Sequence, residues 1–253
     1  MTDSAAAAAG AAAQRAERPG QAGVDGRARA FSWRTCNMTY KTTPKQPVYI
    51  LSERLKLTYI LMSKSGSSTV RQAMQSEEKM GQQPNWNYTV FTIVRDPLER
   101  IVSYFFEGRG EENREKSPEQ VLQLFDQATA LLVHRKGGGG HAHGQRSVPI
   151  KHPYDFVGSL ATFDADWAQL GELQKQRFGI ADWPPAPFRQ RDRRQSYRKV
   201  LDASTLPGYI SQRICNTYRD DYCCFQLHVP RACRVDCASG RPVDPPYQRP
   251  GPP

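Results

Sequence analysis

The chain has 253 residues and carries 35 Lys and Arg against 25 Asp and Glu, a formal net charge of +10 at neutral pH. This length accommodates one domain of ordinary size with tails, and a hydrophobic content of 38% with four Trp suffices for one core. The excess of positive charge suits a polyanionic ligand. Because the sequence carries no zinc-finger, RNP or other nucleic-acid motif, we expect no nucleic-acid partner.

Both ends of the chain are predicted to lack structure. Residues 1–30 are rich in Ala, Gly and Arg and have almost no large apolar side chains to bury, so they should be disordered. The Ala run at 5–13 is too short and too small-sided to span a bilayer, and it lacks the apolar region of a signal peptide. Pro and Gly accumulate at 231–253, which predicts a loose tail and leaves 31–230 as the domain.

Predicted strands and helices alternate between the tails. Apolar runs predict strands at 48–51, 57–62 and 90–94. The predicted helices are 68–78, one from Pro97 through 106, one after a capping box at 117–120, one capped by Asp164 and one opened by Pro207. Six apolar residues of the third helix share one face and should pack in the core: Val121, Leu124, Phe125, Ala128, Leu131 and Leu132. This alternation predicts an α/β domain of three layers with a central, mainly parallel sheet of P-loop-like topology.

The first candidate site is a run of small residues that follows the predicted strand at 57–62. It reads Lys64, Ser65, Gly66, Ser67, Ser68 and Thr69. A strand, a turn of small residues and a helix aim backbone N–H groups at an anion. In a nucleoside-triphosphate P-loop the Lys follows the second Gly. Here Lys64 precedes Gly66, so a kinase-like phosphotransferase is disfavoured.

The second candidate site follows the predicted strand at 90–94. Arg95 ends that strand, Pro97 begins the next helix, and Ser103 lies eight residues after Arg95. Arg offers phosphate a bidentate fork of donors. Two anion sites of this kind predict a ligand that carries phosphate at both ends.

This order of segments resembles that of sulfotransferases, whose donor is 3′-phosphoadenosine 5′-phosphosulfate (PAPS). The run at 64–69 is similar to their 5′-phosphosulfate loop, and Arg95 with Ser103 is similar to their 3′-phosphate site. The stretch at 154–166, with Tyr-Asp-Phe-Val-Gly at its start, and the closing Tyr218-x-x-Asp221-Tyr222 resemble carbohydrate sulfotransferases, the chondroitin and dermatan type nearest. The resemblance covers about residues 47–230.

The resemblance implies a sulfotransferase fold and a role for each segment. Lys64 would stabilise the leaving phosphate oxygen, residues 65–69 would hold the 5′-phosphate, and Arg95 with Ser103 would fix the 3′-phosphate. PAPS would be the cosubstrate, and no metal would be needed. The acceptor would be a carbohydrate hydroxyl, with acidic polysaccharides among the candidates. A catalytically degenerate sulfotransferase-like protein that binds nucleotide or glycan is the alternative.

The general base is left open between two places. His141 and His143 lie in a Gly-rich loop, near the position where the chondroitin-type enzymes carry a His. Glu77 and Glu78 end the helix after the first phosphate segment, where some family members keep an acid. A His base predicts that activity rises with pH through a pKa near 6.5, whereas a Glu base does not unless burial raises its pKa.

The cysteines and sequons bear on the compartment. Six cysteines allow three disulfides, although buried free thiols remain open: Cys36, Cys215, Cys223, Cys224, Cys233 and Cys237. Asn37 and Asn87 begin N-glycosylation sequons. Together these features favour a glycoprotein of the secretory-pathway lumen. The resemblance implies the Golgi lumen or membrane, although the chain shows no signal peptide and no membrane anchor.

Overall fold

The computed structural model describes residues 48–74, 84–109, 115–134, 154–187 and 201–238. The predicted disordered segment 1–30, the Gly-rich loop and most of the predicted tail at 231–253 lie outside these residues. Within the described parts, no helix is both long and apolar enough to cross a membrane.

A four-stranded, mostly parallel sheet organises the described chain. Its strands, in spatial order, are β1 (Tyr49–Ser52), β2 (Leu57–Ile60), β3 (Thr89–Val94) and β4 (Phe156–Ser159). β1 pairs antiparallel with β2, while β2, β3 and β4 run parallel. All six residues of β3 are buried, as expected of a central parallel strand that is covered on both faces. The predicted α/β class with a mainly parallel sheet is therefore confirmed.

Six helices connect or cover these strands in the described chain. They are α1 (Ser67–Met74), α2 (Pro97–Arg109), α3 (Pro118–His134), α4 (Phe163–Phe178), α5 (Gly208–Thr217) and α6 (Arg219–Cys224). The capping box before α3 is confirmed, since Ser117 N donates to Gln120 Oε1 at 2.9 Å and Gln120 N donates to Ser117 Oγ at 3.3 Å. The structure describes the predicted helix at 68–78 only as far as Met74.

Two local predictions are wrong. Asp164 does not cap α4, because Thr162 stands at the N-cap. The Asp166 carboxylate accepts hydrogen bonds from Thr162 Oγ1 and from Ser159 N, each at 2.7 Å. Leu131 is 57% exposed, because at 3.6 residues per turn it lies about 80° from Val121, at the edge of the apolar stripe of α3.

The core forms on both faces of the sheet and between the later helices. One face packs Tyr59, Phe91 and Ile93 against α1 and α4. Ile60, Val90 and Val94 pack with Phe225 and Tyr154. A third cluster joins α2, α3 and α5, with Ile101, Phe125 and Ile210 among its buried residues.

Disulfides extend the folded part beyond the predicted boundary at 230. Cys215 is bonded to Cys233 and Cys223 to Cys237. Cys224 is also disulfide-bonded. The described cysteines therefore form disulfides and are not buried free thiols. Residues 231–238 are tied to α5 and α6 rather than forming part of a loose tail.

Candidate active site

The two predicted phosphate segments meet at one edge of the sheet. β2 and β3 are parallel neighbours, so the chain leaves both strands at the same edge. Lys64 lies four residues after the end of β2, and Arg95 directly follows β3. Arg95 Nη1 donates a hydrogen bond to the Lys64 carbonyl oxygen at 3.4 Å. The structure thus joins two segments that are 31 residues apart in sequence.

The backbone of the first segment turns sharply into α1. Lys64 has φ +64° and Gly66 has φ +84°, a conformation that costs a non-glycine residue such as Lys64 of the order of 1–2 kcal/mol. The first intrahelical hydrogen bond runs from Val70 N to Gly66 O at 3.0 Å. The N–H groups of residues 67–69 precede it and lie at the helix N-terminus, where the helix dipole favours an anion.

Gly66 is also required for packing. A Cβ placed on Gly66 would lie 2.4 Å from Leu160 Cδ1. The backbone of Leu160 is fixed, because its N–H donates to the carbonyl oxygen of Val94 at 2.7 Å, at the end of β3. The apolar side chain that follows β4 therefore supports the turn of the first segment.

The side chains of the first segment differ in burial. Ser65 is fully buried, and its N–H donates to Met62 O at 3.2 Å. Lys64, Ser67 and Thr69 are half-buried, whereas Ser68 is exposed. The hydroxyl of Ser65 consequently faces the protein interior, and the half-buried and exposed members are the ones open to a ligand.

In the second segment, Arg95 forms an ion pair with the carboxylate of Glu99. The Arg95 side chain is 11% exposed, and its Nε lies 3.1 Å from Glu99 Oε2. Ser103 is half-buried on α2. Glu99 and Ser103 are four residues apart on α2 and therefore share one side of that helix. The ion pair with Glu99 occupies part of the guanidinium that was predicted to bind phosphate.

Asp96, the residue after Arg95, makes two contacts that were not predicted from the sequence. Its Oδ1 accepts the N–H of Glu99 at 3.1 Å, and its Oδ2 accepts the hydroxyl of Tyr222 at 3.1 Å. Burial raises the pKa of Asp96, while these hydrogen bonds act against that rise. An Asp directly before a Pro at the first helical position is a capping signal, and it could have predicted the first of these contacts.

The structure does not describe the residues predicted as the general base. Glu77, Glu78, His141 and His143 all lie outside the described residues. In the described parts of the chain, no group of three or more His, Cys, Asp or Glu side chains could hold a metal ion.

The geometry defines an α/β protein whose candidate site lies where parallel strands lead into helix N-termini. The profile of the Sulfotransferase family matches residues 37–228, well over half of the chain. The chain therefore belongs to the sulfotransferase family and is a sulfotransferase. A search of curated proteins and a search of solved structures each found no match.

Proposed function

We propose that this sulfotransferase moves a sulfuryl group from PAPS to a hydroxyl of a carbohydrate acceptor. The observation that carries the proposal is the contact between Arg95 Nη1 and the Lys64 carbonyl oxygen at 3.4 Å. It brings together a helix N-terminus suited to one phosphate and an Arg suited to another. A donor with phosphates at its 5′ and 3′ positions matches that pair of groups.

The first segment would hold the sulfate-bearing end of the donor. The N–H groups of residues 67–69 would contact the 5′-phosphate, with hydroxyls of Ser67, Ser68 and Thr69 beside them. Lys64 would stand next to the bridging oxygen. Its charge would matter most as that oxygen becomes the phosphate of the leaving product.

The second segment would hold the 3′-phosphate. Arg95 would supply charge-assisted hydrogen bonds, and Ser103 would add a hydroxyl. Because Glu99 lies 3.1 Å from Arg95 Nε, the phosphate would share the guanidinium with that carboxylate or displace it. Glu99 would thereby lower the affinity for the nucleotide.

In the reaction, an acceptor hydroxyl oxygen forms a bond to sulfur while the bond from sulfur to the bridging phosphate oxygen breaks. The products are the sulfate ester and 3′-phosphoadenosine 5′-phosphate (PAP), and the hydroxyl proton passes to a general base. His143 and Glu78 are the proposed candidates for that base. As in phosphoryl transfer, positioning and charge stabilisation would supply most of the rate.

A carbohydrate acceptor is supported by the resemblance at 154–166 and 218–225, and the net charge of +10 suits an acidic polysaccharide. The disulfides Cys215–Cys233 and Cys223–Cys237 support an oxidising compartment. We therefore propose that the enzyme works in the Golgi lumen.

Two measurements test the proposal. Calorimetry should show that PAP binds far more tightly than AMP or ADP, because only PAP carries both phosphates. Labelled sulfate should pass from PAPS to at least one member of a glycan panel, and ATP should give no phosphate transfer in parallel reactions. Equal affinity for AMP and PAP would refute the two-phosphate site. Tight PAP binding without transfer to any glycan would favour the degenerate binding protein.

A further inference from the structure

The closing motif near the end of the domain has no role in the mechanism above. Its three defining residues, Tyr218, Asp221 and Tyr222, are all buried, with exposed fractions of 3%, 1% and 1%. They lie at the junction of α5 and α6 or within α6. Buried polar groups of this kind must find partners inside the protein.

All three residues contact the start of α2. The hydroxyl of Tyr222 donates to Asp96 Oδ2 at 3.1 Å. Arg100 Nη2 lies 3.8 Å from Asp221 Oδ2, and the Arg100 guanidinium lies 5.0 Å from the centre of the Tyr218 ring. The segment at 218–222 therefore packs against the segment at 95–100, although Tyr222 and Asp96 are 126 residues apart in sequence.

These contacts fix the backbone from which Arg95 projects. Asp96 is the next residue, its carbonyl oxygen accepts Arg100 N at 2.9 Å, and its carboxylate accepts Glu99 N. A displacement of Asp96 would therefore tilt the first turn of α2 and move the Arg95 guanidinium. Placement errors of about 1 Å at such a group are costly for binding and catalysis.

Tyr222 is itself held firmly. Burial raises its pKa, and the neighbouring Asp96 raises it further, so the hydroxyl stays protonated and can donate. Cys215 Sγ, which belongs to the disulfide with Cys233, lies 3.6 Å from the Tyr222 hydroxyl oxygen. The Tyr222 hydroxyl therefore contacts a disulfide, whose position is covalently restrained, rather than a mobile side chain.

We propose that Tyr222, together with Asp221 and Tyr218, is a positioning residue that sets Arg95 for the 3′-phosphate of the donor. The inference rests on the proposed function of Arg95. It assigns the closing motif to the nucleotide site rather than to the acceptor.

The test compares two Tyr→Phe variants, each of which removes one hydroxyl that contacts an Asp. Tyr222→Phe removes the contact with Asp96. The matched control is Tyr209→Phe, because the Tyr209 hydroxyl lies on α5 and contacts Asp126 Oδ2 on α3 at 3.3 Å. We expect Tyr222→Phe to weaken PAP binding and to raise the KM for PAPS about fivefold to tenfold, with kcat nearly unchanged. Tyr209→Phe should leave both values as in the wild type.

Amide hydrogen exchange supplies a readout that does not depend on ligand. In Tyr222→Phe the N–H groups of Glu99 and Arg100, which are bonded to Asp96, should exchange faster than in Tyr209→Phe. Asp96→Asn keeps an acceptor for the Tyr222 hydroxyl and should retain most of the PAP affinity, whereas Asp96→Ala should lose it to about the extent of Tyr222→Phe.

The outcomes distinguish the positioning role of Tyr222 from the proposed function of the protein. If the wild type binds PAP and both Tyr→Phe variants bind it equally well, the positioning role is refuted and the proposed function stands. If both variants lose affinity equally, the effect is general destabilisation and the positioning role is again refuted. If the wild type does not bind PAP, the proposed function fails, and this inference fails with it.

Discussion

The two phosphate segments occupy the same edge of the sheet but are stabilised in different ways. The first, at 64–69, depends on backbone conformation and on one apolar neighbour, Leu160, against Gly66. The second, at 95–103, depends on polar contacts with a helix that comes 126 residues later in the chain. The difference teaches that similar strand-to-helix turns can be held by close packing against an apolar side chain or by buried polar contacts. Substitutions should therefore affect the two segments through different measurable quantities.

The largest effect is expected at Lys64. Lys64→Ala should lower kcat by about 10²- to 10³-fold, the range found when one donor to a developing negative charge is removed. PAP affinity should change much less, because the charge matters most as the phosphate leaves. Steady-state kinetics together with PAP calorimetry measures both. If affinity fell and kcat did not, Lys64 would bind the ground state and its proposed role would be wrong.

Gly66→Ala should destabilise the turn of the first segment, because the added methyl group clashes with a neighbour and disfavours the positive φ. The added Cβ meets Leu160 Cδ1 and the residue must hold φ +84°, so the free energy of unfolding should fall by about 1–3 kcal/mol. Chemical denaturation measures this loss.

The double variant Gly66→Ala with Leu160→Ala separates the two causes. It removes the clash but keeps the unfavourable φ, so it should be more stable than the sum of the two single variants predicts. Simple additivity would mean that the contact with Leu160 is unimportant for this turn.

Arg95→Ala should weaken PAP binding by roughly tenfold to a hundredfold, equivalent to about 1.5–3 kcal/mol for a charge-assisted contact. AMP binding, which does not involve the 3′-phosphate, should change little. The matched control is Glu99→Gln, which removes the carboxylate 3.1 Å from Arg95 Nε and keeps the size of the side chain. Glu99→Gln should bind PAP at least as tightly as the wild type. Weaker binding in that control would show that Glu99 orients Arg95 rather than competing for it.

The smallest effect is the pH dependence of stability at Asp96. Burial raises its pKa above the unperturbed value of 3.8. The stabilising contribution of this group is therefore complete below that value and is lost as pH rises through the folded-state pKa. Asn does not titrate, so Asp96→Asn should gain stability relative to the wild type as the pH rises above 3.8, the unperturbed pKa of the Asp carboxyl. Denaturation curves at several pH values test this, and a constant difference would show that Asp96 titrates as it does in the unfolded chain.

Short-range sequence signals predicted much of the fold. Apolar runs gave β2 and β3, and Pro97 and Pro118 marked the first residues of α2 and α3. Such signals work because strand burial and helix starts depend mainly on neighbouring residues. Asp164 was a wrong choice of cap because Thr162 takes the N-cap position, and the Thr162 hydroxyl donates to Asp166 instead of capping the backbone.

By itself, the sequence determined the family and the α/β class, and it predicted two segments for phosphate because residue type and spacing decide which backbone groups can face an anion. Tertiary structure alone decided that Arg95 contacts Lys64, that Leu160 supports Gly66, and that Tyr222 donates to Asp96. It also decided which cysteines pair, since six cysteines allow fifteen pairings and spacing does not distinguish them. Each of these contacts joins residues that are far apart in the chain, and their proximity depends on how the sheet and the later helices pack.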